Sequence, residues 1–368
     1  DPSTQDPMRL LITGGAGYIG AHLLIELLEA GHDVVVLDDL SGGSVEAVAR
    51  AEAAAGRRCW FVHGSIGDPV AVRHALEGVF AVFHLAAYKK VGESVAMPGA
   101  YMTNNVGGMA TLLEEMDRQA VRRIVFSSSA AVYGSARVMP LREDAALCPD
   151  SPYGATKQLG EQMLAEMARH RGWSAVSLRY FNPVGAHASG LVGEPLCKAA
   201  SLVPRALQAL VFKDRPLTVF GTDYDTPDGT CQRDYVHVCD VARAHLVAMG
   251  ALDTPGHHVF NVGTGRPYSV REVIQACARA AGRPVPHSDG DRRPGDIPVA
   301  MADCSRFENA WGFKARYDLQ DMVDSAWAWS SSEPDALVAS GIGRGIGEAR
   351  QRVDRMLEAR QQSRIRSA

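Results

Sequence analysis

A chain of 368 residues with 46% hydrophobic and 22% charged content suits one large globular domain or two closely joined ones. Its net charge of -4, from 38 basic and 42 acidic residues well interspersed, leaves no basic stripe to follow a nucleic-acid backbone, and no apolar run is long enough to span a membrane. Seven cysteines (Cys59, Cys148, Cys197, Cys231, Cys239, Cys277 and Cys304) are scattered without a C-x-x-C pair, so neither a metal site nor a redox pair is expected, and a reducing cytoplasm is.

In chain order, residues 1–7 (DPSTQDP) read as an expression remnant or frayed end, with no charged leader and apolar core following. Short β-branched runs then alternate with amphipathic stretches: RLLIT (9–13), DVVVLD (33–38), CWFVHG (59–64), VFAVFHLAA (79–87), RRIVFSSSA (122–130) and SAVSLRYF (174–181). Such alternation predicts β-α-β units and so an α/β fold, a Rossmann-like doubly wound parallel sheet covered on both faces. Between the fourth and fifth runs, Val106, Met109, Leu113 and Met116 recur at helical spacing, a stripe suited to core packing or to a helix face shared with a second copy.

The first run leads straight into Gly14-Gly15-Ala16-Gly17-Tyr18-Ile19-Gly20 and a helical AHLLIELLEAG. Gly14 would permit the tight turn, Gly17 would let backbone approach a pyrophosphate, and Gly20 would let the helix pack closely on the strand. The helix start would offer unpaired N–H groups to the phosphates. Eighteen residues after Gly20 the second run ends in Asp38-Asp39, whose carboxylates suit ribose hydroxyls and repel a 2′-phosphate, favouring NAD over NADP.

The fifth run ends in Ser127-Ser128-Ser129, and SPYGATK (151–157) follows twenty-four residues after Ser129, counted to Tyr153. Ser151 can cap a helix and Pro152 suits its first position, which makes Tyr153 and Lys157 neighbours one turn apart. An ammonium beside the phenol should lower its pKa from about 10, supplying a proton acceptor near neutral pH. Ser129 is placed to hydrogen-bond a substrate oxygen. Past Asn182 the pattern loosens into glycine- and proline-punctuated segments, with a strand-like HHVFNVG (257–263) and a helix-like SVREVIQACARAAG (269–282). This part is expected to form a smaller, interleaved C-terminal substrate-binding lobe. The expected division is 8–181 mainly NAD-binding, 182–333 mainly substrate-binding, and a tail over 334–368. In that tail GIGRGIG lacks a preceding strand and reads as a hinge into a solvated helix.

The segments TGGAGYIG (13–20), YKKVGES (88–94), NNV (104–106), SSSAAVYG (127–134), SPYGATK (151–157), RYFNPVGAH (179–187), DYDTPDGTCQRDYVHV (223–238) and RRPGDIP (292–298) stand in a specific order. Over about Met8 to Ser330 the sequence resembles the extended short-chain dehydrogenase/reductase family, and within it the nucleotide-sugar 4-epimerases. The resemblance implies a UDP-sugar substrate, a retained NAD and a homodimer whose seam contains the helices of Met109 and Met116 and of Met163 and Met167. It implies that Tyr153, as phenolate, removes the proton of the sugar 4-hydroxyl while the C4 hydride passes to NAD. Ser129 would share the proton path and Lys157 would hold the nicotinamide ribose. The 4-keto sugar would then turn and receive the hydride on its other face.

For the cofactor, the resemblance implies contacts from Gly14, Gly17, Tyr18, Ile19, Gly20, Asp38, Asp39, Ser65, Ile66, Leu85, Ala86, Ala87, Lys89, Asn104, Ser127, Tyr153, Lys157 and Phe181. For the substrate it implies Ser129, Asn182, Ser201, Leu202, Arg233, Tyr235, Arg293, Asp296 and Ala300, the arginines facing the diphosphate. Four positions depart from the family's commonest pattern. Ser65 replaces an aspartate that contacts adenine, Ala131 a threonine, and Ser201 an asparagine or histidine. Ala300 replaces a tyrosine that excludes N-acetylated sugars, so UDP-N-acetylhexosamines are expected beside UDP-glucose and UDP-galactose.

Competing readings remain at this level. A 4-epimerase of UDP-glucuronic acid or a UDP-pentose is the nearest. A 4,6-dehydratase would need an acidic pair after Ser129, where Ala130-Ala131-Val132 stands, and a dinucleotide sensor would have no need of Ser129, Tyr153 and Lys157 together.

Overall fold

Residues 7–332, apart from 137, 213, 214 and 294, are described by a computed structural model. The expected tail over 334–368 lies outside the described residues. Strands β1 (Arg9–Thr13), β2 (Asp33–Asp38), β3 (Trp60–His63), β4 (Ala81–His84), β5 (Arg123–Ser129) and β6 (Ser174–Tyr180) coincide with the six apolar runs. Further along come β7 (Asn182–Val184), β8 (Leu217–Phe220), β9 (Gln232–His237), β10 (Gly256–Val262), β11 (Pro267–Ser269), β12 (His287–Gly290) and β13 (Val299–Ala300).

Seven strands form one parallel sheet in the order β10-β6-β5-β4-β1-β2-β3. Because side chains alternate across a strand, Leu10, Ile12, Val34, Val36 and Phe83 face one apolar layer, closed by helices Tyr18–Glu29 and Val238–Ala248. Leu11, Val35, Leu37, Val82, Ile124 and Phe126 face the other, closed by helices Pro69–Ala75, Gly108–Arg118 and Pro152–Arg171. Each fully buried leucine or valine contributes about 1.5–3 kcal/mol, so a strand buried on both faces reads as a continuous apolar run. The strand order reverses between β1 and β4, which opens a crevice at their carboxyl ends.

Two sequence expectations are sharpened here. Within the interleaved 182–333 part, HHVFNVG forms β10, the seventh strand of the large sheet, parallel to β6. The chain crosses back to the sheet after building part of the lobe. Met109 and Met116 are fully buried in the second apolar layer, and Met163 and Met167 pack against it, so a seam on these two helices would use their other faces. The smaller lobe has its own core of Val203, Leu207, Val219, Tyr235, Val273 and Met322. It contains a sheet in the order β11-β9-β13, with β7 also paired to β9, and a separate β8–β12 pair.

Candidate active site

The turn after β1 brings the glycine motif to the crevice. Gly14 has φ +76°, and a Cβ there would lie 2.7 Å from the Ala86 nitrogen; one on Gly20 would lie 2.2 Å from the Gly14 carbonyl. Only hydrogen fits at either place, so the helix can start against the strand end. Gly17 caps helix Tyr18–Glu29 without any side-chain cap, leaving the first-turn N–H groups facing the crevice. Leu85 donates from its backbone to the Thr13 carbonyl and Ala86 to the Thr13 hydroxyl, which lays Leu85–Ala87 beside the motif. Ile19 and Leu85 rest on the first apolar layer.

Asp38 is buried, its Oδ2 accepting from the Ala16 N–H at 2.9 Å and its Oδ1 from the Leu40 N–H at 2.8 Å. Burial pushes its pKa up, and those two bonds oppose the shift. The carboxylate is thereby fixed at the end of β2 with acceptor capacity left for ribose hydroxyls. Asp39 differs: it is exposed and its Oδ1 accepts from both the backbone and hydroxyl of Ser41, so it serves the turn. Ser65 accepts from the Gly67 N–H, and Ile66 is buried against Gly108. The residues present therefore fit a dinucleotide: a side-chain-free cradle, a helix start and one fixed carboxylate. Lys89, largely exposed, lies 3.9 Å from Glu194 and over the Tyr18 ring, whose hydroxyl donates to the Gly185 carbonyl.

The residues expected to handle protons sit at the same end of the sheet. Ser151 accepts from the Gly154 N–H and Pro152 opens helix Pro152–Arg171, which places Tyr153 and Lys157 on one buried face. Ser129, whose Oγ accepts from the Ala131 N–H at 3.2 Å, stands beside the Tyr153 phenol. The Lys157 ammonium donates to the Ser127 carbonyl at 2.7 Å and lies 5.9 Å from the centre of the Tyr153 ring. Here the expected pKa direction is corrected. Burial pushes Tyr153 up to about 12, with the nearby Ser129 hydroxyl only partly opposing it. Burial also brings Lys157 down to about 7, against the charge of Glu161. Desolvation dominates around the phenol, and the neighbouring ammonium donates to a carbonyl rather than to the phenol.

Other assignments divide. The Ser127 hydroxyl pairs with His245, so its backbone carbonyl is the part turned to the site. Phe181 is buried with Val132, Tyr133, Leu141 and Ala302. Asn104 donates to the side chain of Asn105, and it is Asn105 that is buried, bonding the backbone of Tyr88 both ways and donating to Thr156 at 3.1 Å. The burial of Asn105 carries no sequence signal, because the π-helical turn Met102–Gly107, which turns it inward, has no simple periodic signature.

In the smaller lobe, β7, β9 and β13 bring Asn182, Arg233 and Ala300 together, with Asn182 opposite Tyr235 and Ala300 opposite Arg233. Asn182 donates to the Asp234 carbonyl at 2.8 Å. Asp296 accepts from Arg293 at 2.9 Å and from Arg233 at 3.3 Å, holding two guanidinium groups side by side. Arg293 also lies over the exposed Phe220, an aromatic face that the sequence reading missed for want of a spacing signal. Ser201 caps helix Leu202–Val211 without a side-chain bond, and Leu202 rests on the lobe core. Tyr235 does not line the surface; it is 3% exposed within that core. Among the described residues no group of His, Cys, Asp or Glu is arranged to hold a metal, and no helix is long and apolar enough to cross a membrane.

Comparison with known proteins adds the following. The sequence profile of the NAD dependent epimerase/dehydratase family matches residues 10–263. The chain is 43% identical over 334 residues to UDP-glucose 4-epimerase of Bacillus subtilis (strain 168), covering 88% of this chain and 97% of that protein. It is 42% identical over 333 residues to UDP-glucose 4-epimerase of Dictyostelium discoideum, covering 89% and 97%. Its structure is similar, with a TM-score of 0.85 and 40% identity, to UDP-glucose 4-epimerase from Bifidobacterium longum in complex with NAD+ and UDP, over 89% of this chain and 99% of that one.

Proposed function

The chain belongs to the NAD dependent epimerase/dehydratase family, and from that premise we propose its reaction: reversible inversion at C4 of UDP-glucose and UDP-galactose. The observation that carries this is the Ser129–Tyr153–Lys157 group at the carboxyl end of the sheet, beside the glycine motif, in a chain whose smaller lobe gathers two guanidinium groups on Asp296. NAD is the cofactor, and when bound it supplies a hydride acceptor and donor for the sugar's C4.

The chain's own residues do the rest. Gly14, Gly17, Gly20 and the first turn of helix Tyr18–Glu29 cradle the pyrophosphate, and Asp38 accepts from the adenosine ribose. Tyr153 takes the proton of the 4-hydroxyl and later returns it, with Ser129 holding the same oxygen. Lys157 orients the nicotinamide ribose, and its charge favours the phenolate. Arg233 and Arg293 leave Asp296 in part to neutralise the diphosphate, Asn182 anchors the strand beneath, and Phe220 offers a face to the uracil.

Three finer points belong to the same reading. Half-buried Ala300 leaves room beside the sugar's 2-position, so UDP-N-acetylglucosamine and UDP-N-acetylgalactosamine are substrates too. The protein is a cytoplasmic homodimer. Its seam is formed by the exposed Val95, Met97, Met102 and Leu159, carried on the catalytic helix and the segments packed against it. To test the reaction, purified protein is mixed with a panel of UDP-sugars without added NAD and the products are separated. Interconversion of the glucose and galactose pair is expected; turnover confined to a uronic acid or pentose, or none, would sink the reading.

A further inference from the structure

Behind the proton relay lies a buried ionic cluster that none of the steps above uses. Glu161 stands one turn beyond Lys157 and two beyond Tyr153 on the same face of helix Pro152–Arg171. Its Oε1 accepts from the Ser128 hydroxyl at 2.5 Å and from Arg179 Nε at 2.9 Å, while its Oε2 accepts from Arg179 Nη2 at 2.6 Å. Arg179 also donates to the Tyr133 hydroxyl and the Glu143 carbonyl, both at 3.0 Å, and Tyr133 donates to Asn261 at 2.7 Å. One carboxylate thus joins the catalytic helix, the end of β5, β6 and, through Tyr133 and Asn261, β10.

Buried ion pairs add little net stability, because desolvation offsets their attraction and apolar packing does as well. What hydrogen bonds supply instead is direction. Ser128 directly precedes Ser129, and alternation along β5 aims Ser128 at the helix that carries Tyr153 and Lys157. We propose that Glu161 is a positioning residue of the proton relay, clamping the catalytic helix to the end of β5 so that Tyr153 and Lys157 stay in register with Ser129. This rests on the reaction proposed above. The groups facing Lys157 are the Ser127 carbonyl and Phe126 ring from β5, His84 from β4, and Tyr153 and Glu161 from its own helix. Glu161 is the anion among them, and it is itself faced by Arg179 from β6 and His257 from β10.

Ser128→Ala removes the clamp and leaves the Glu161–Arg179 pair in place. Rates are counted per NAD-loaded chain, and Tyr153→Phe is measured alongside. For Ser128→Ala, kcat should fall about ten- to a hundredfold, as misplaced reacting groups do. KM should stay within about twofold, melting should stay near wild type, and the acid limb of kcat should move to higher pH. A kcat within about twofold of wild type with an unmoved acid limb, or a change confined to KM or NAD content, would overturn the positioning role. Near-normal turnover by Tyr153→Phe would instead overturn the proton relay on which it rests.

Discussion

At the scale of the residue, the account turns on how burial and charge compete around Tyr153. The neighbouring lysine was legible from SPYGATK, but the net direction was not, because desolvation depends on what the rest of the chain packs around the ring. Lys157 carries the corresponding consequence for stability. Its folded pKa of about 7 lies below the unfolded value of about 10.4, so between those values the unfolded chain binds the extra proton. Stability of NAD-free protein should therefore rise with pH over that window on this lysine's account. Melting temperature against pH, compared between wild type and Lys157→Met, checks it: the variant should show a shallower rise, and parallel curves would refute the assignment. A second residue-scale prediction concerns Ala300. Ala300→Tyr should abolish conversion of the N-acetylated sugars while leaving UDP-galactose turnover within a few-fold, read by product analysis on both pairs; equal loss of both would rule out a size filter at this position.

At the scale of the element, the turn from β1 into its helix is where sequence and structure agree most closely. RLLIT ends in a motif whose glycines are each explained by a close approach, and no side chain elsewhere is needed to read it. Gly20→Ala places a Cβ against the Gly14 carbonyl, where backbone must shift. It should cost about 1–3 kcal/mol and reduce the NAD retained on purification, measured by absorbance after denaturation; full NAD content would show the turn to be more tolerant than its geometry implies. Elements that depend on distant pairing were less legible. HHVFNVG was recognisable as a strand, yet which sheet received it depended on its pairing with β6, some eighty residues earlier in the chain. The methionine stripe of helix Gly108–Arg118 had the right period, but period alone does not say whether a helix covers the chain's own sheet or a partner's surface.

At the scale of the whole molecule, a doubly wound sheet provides the crevice for the cofactor, and a smaller lobe, threaded out of and back into that sheet, brings charges for the substrate. The fold class and the residues proposed for the site were legible because strands buried on both faces, glycine turns and a capped helix each leave a local mark. The burial of Asn105 and Tyr235 and the exposure of Phe220 were not, since only tertiary packing separates a buried copy from an exposed one. The exposed Val95, Met97, Met102 and Leu159 lead to a prediction at this scale: light scattering should give the mass of two chains for wild type and of one for Val95→Glu/Leu159→Glu, and an unchanged mass would place the seam elsewhere. The central claim is tested most directly with UDP-galactose deuterated at C4, turned over in ordinary water without added NAD. The account predicts UDP-glucose with the deuterium still on C4, because the hydrogen leaves and returns to one carbon within one site. Product in which that deuterium has exchanged with solvent, or a requirement for added NAD at every turnover, would contradict it.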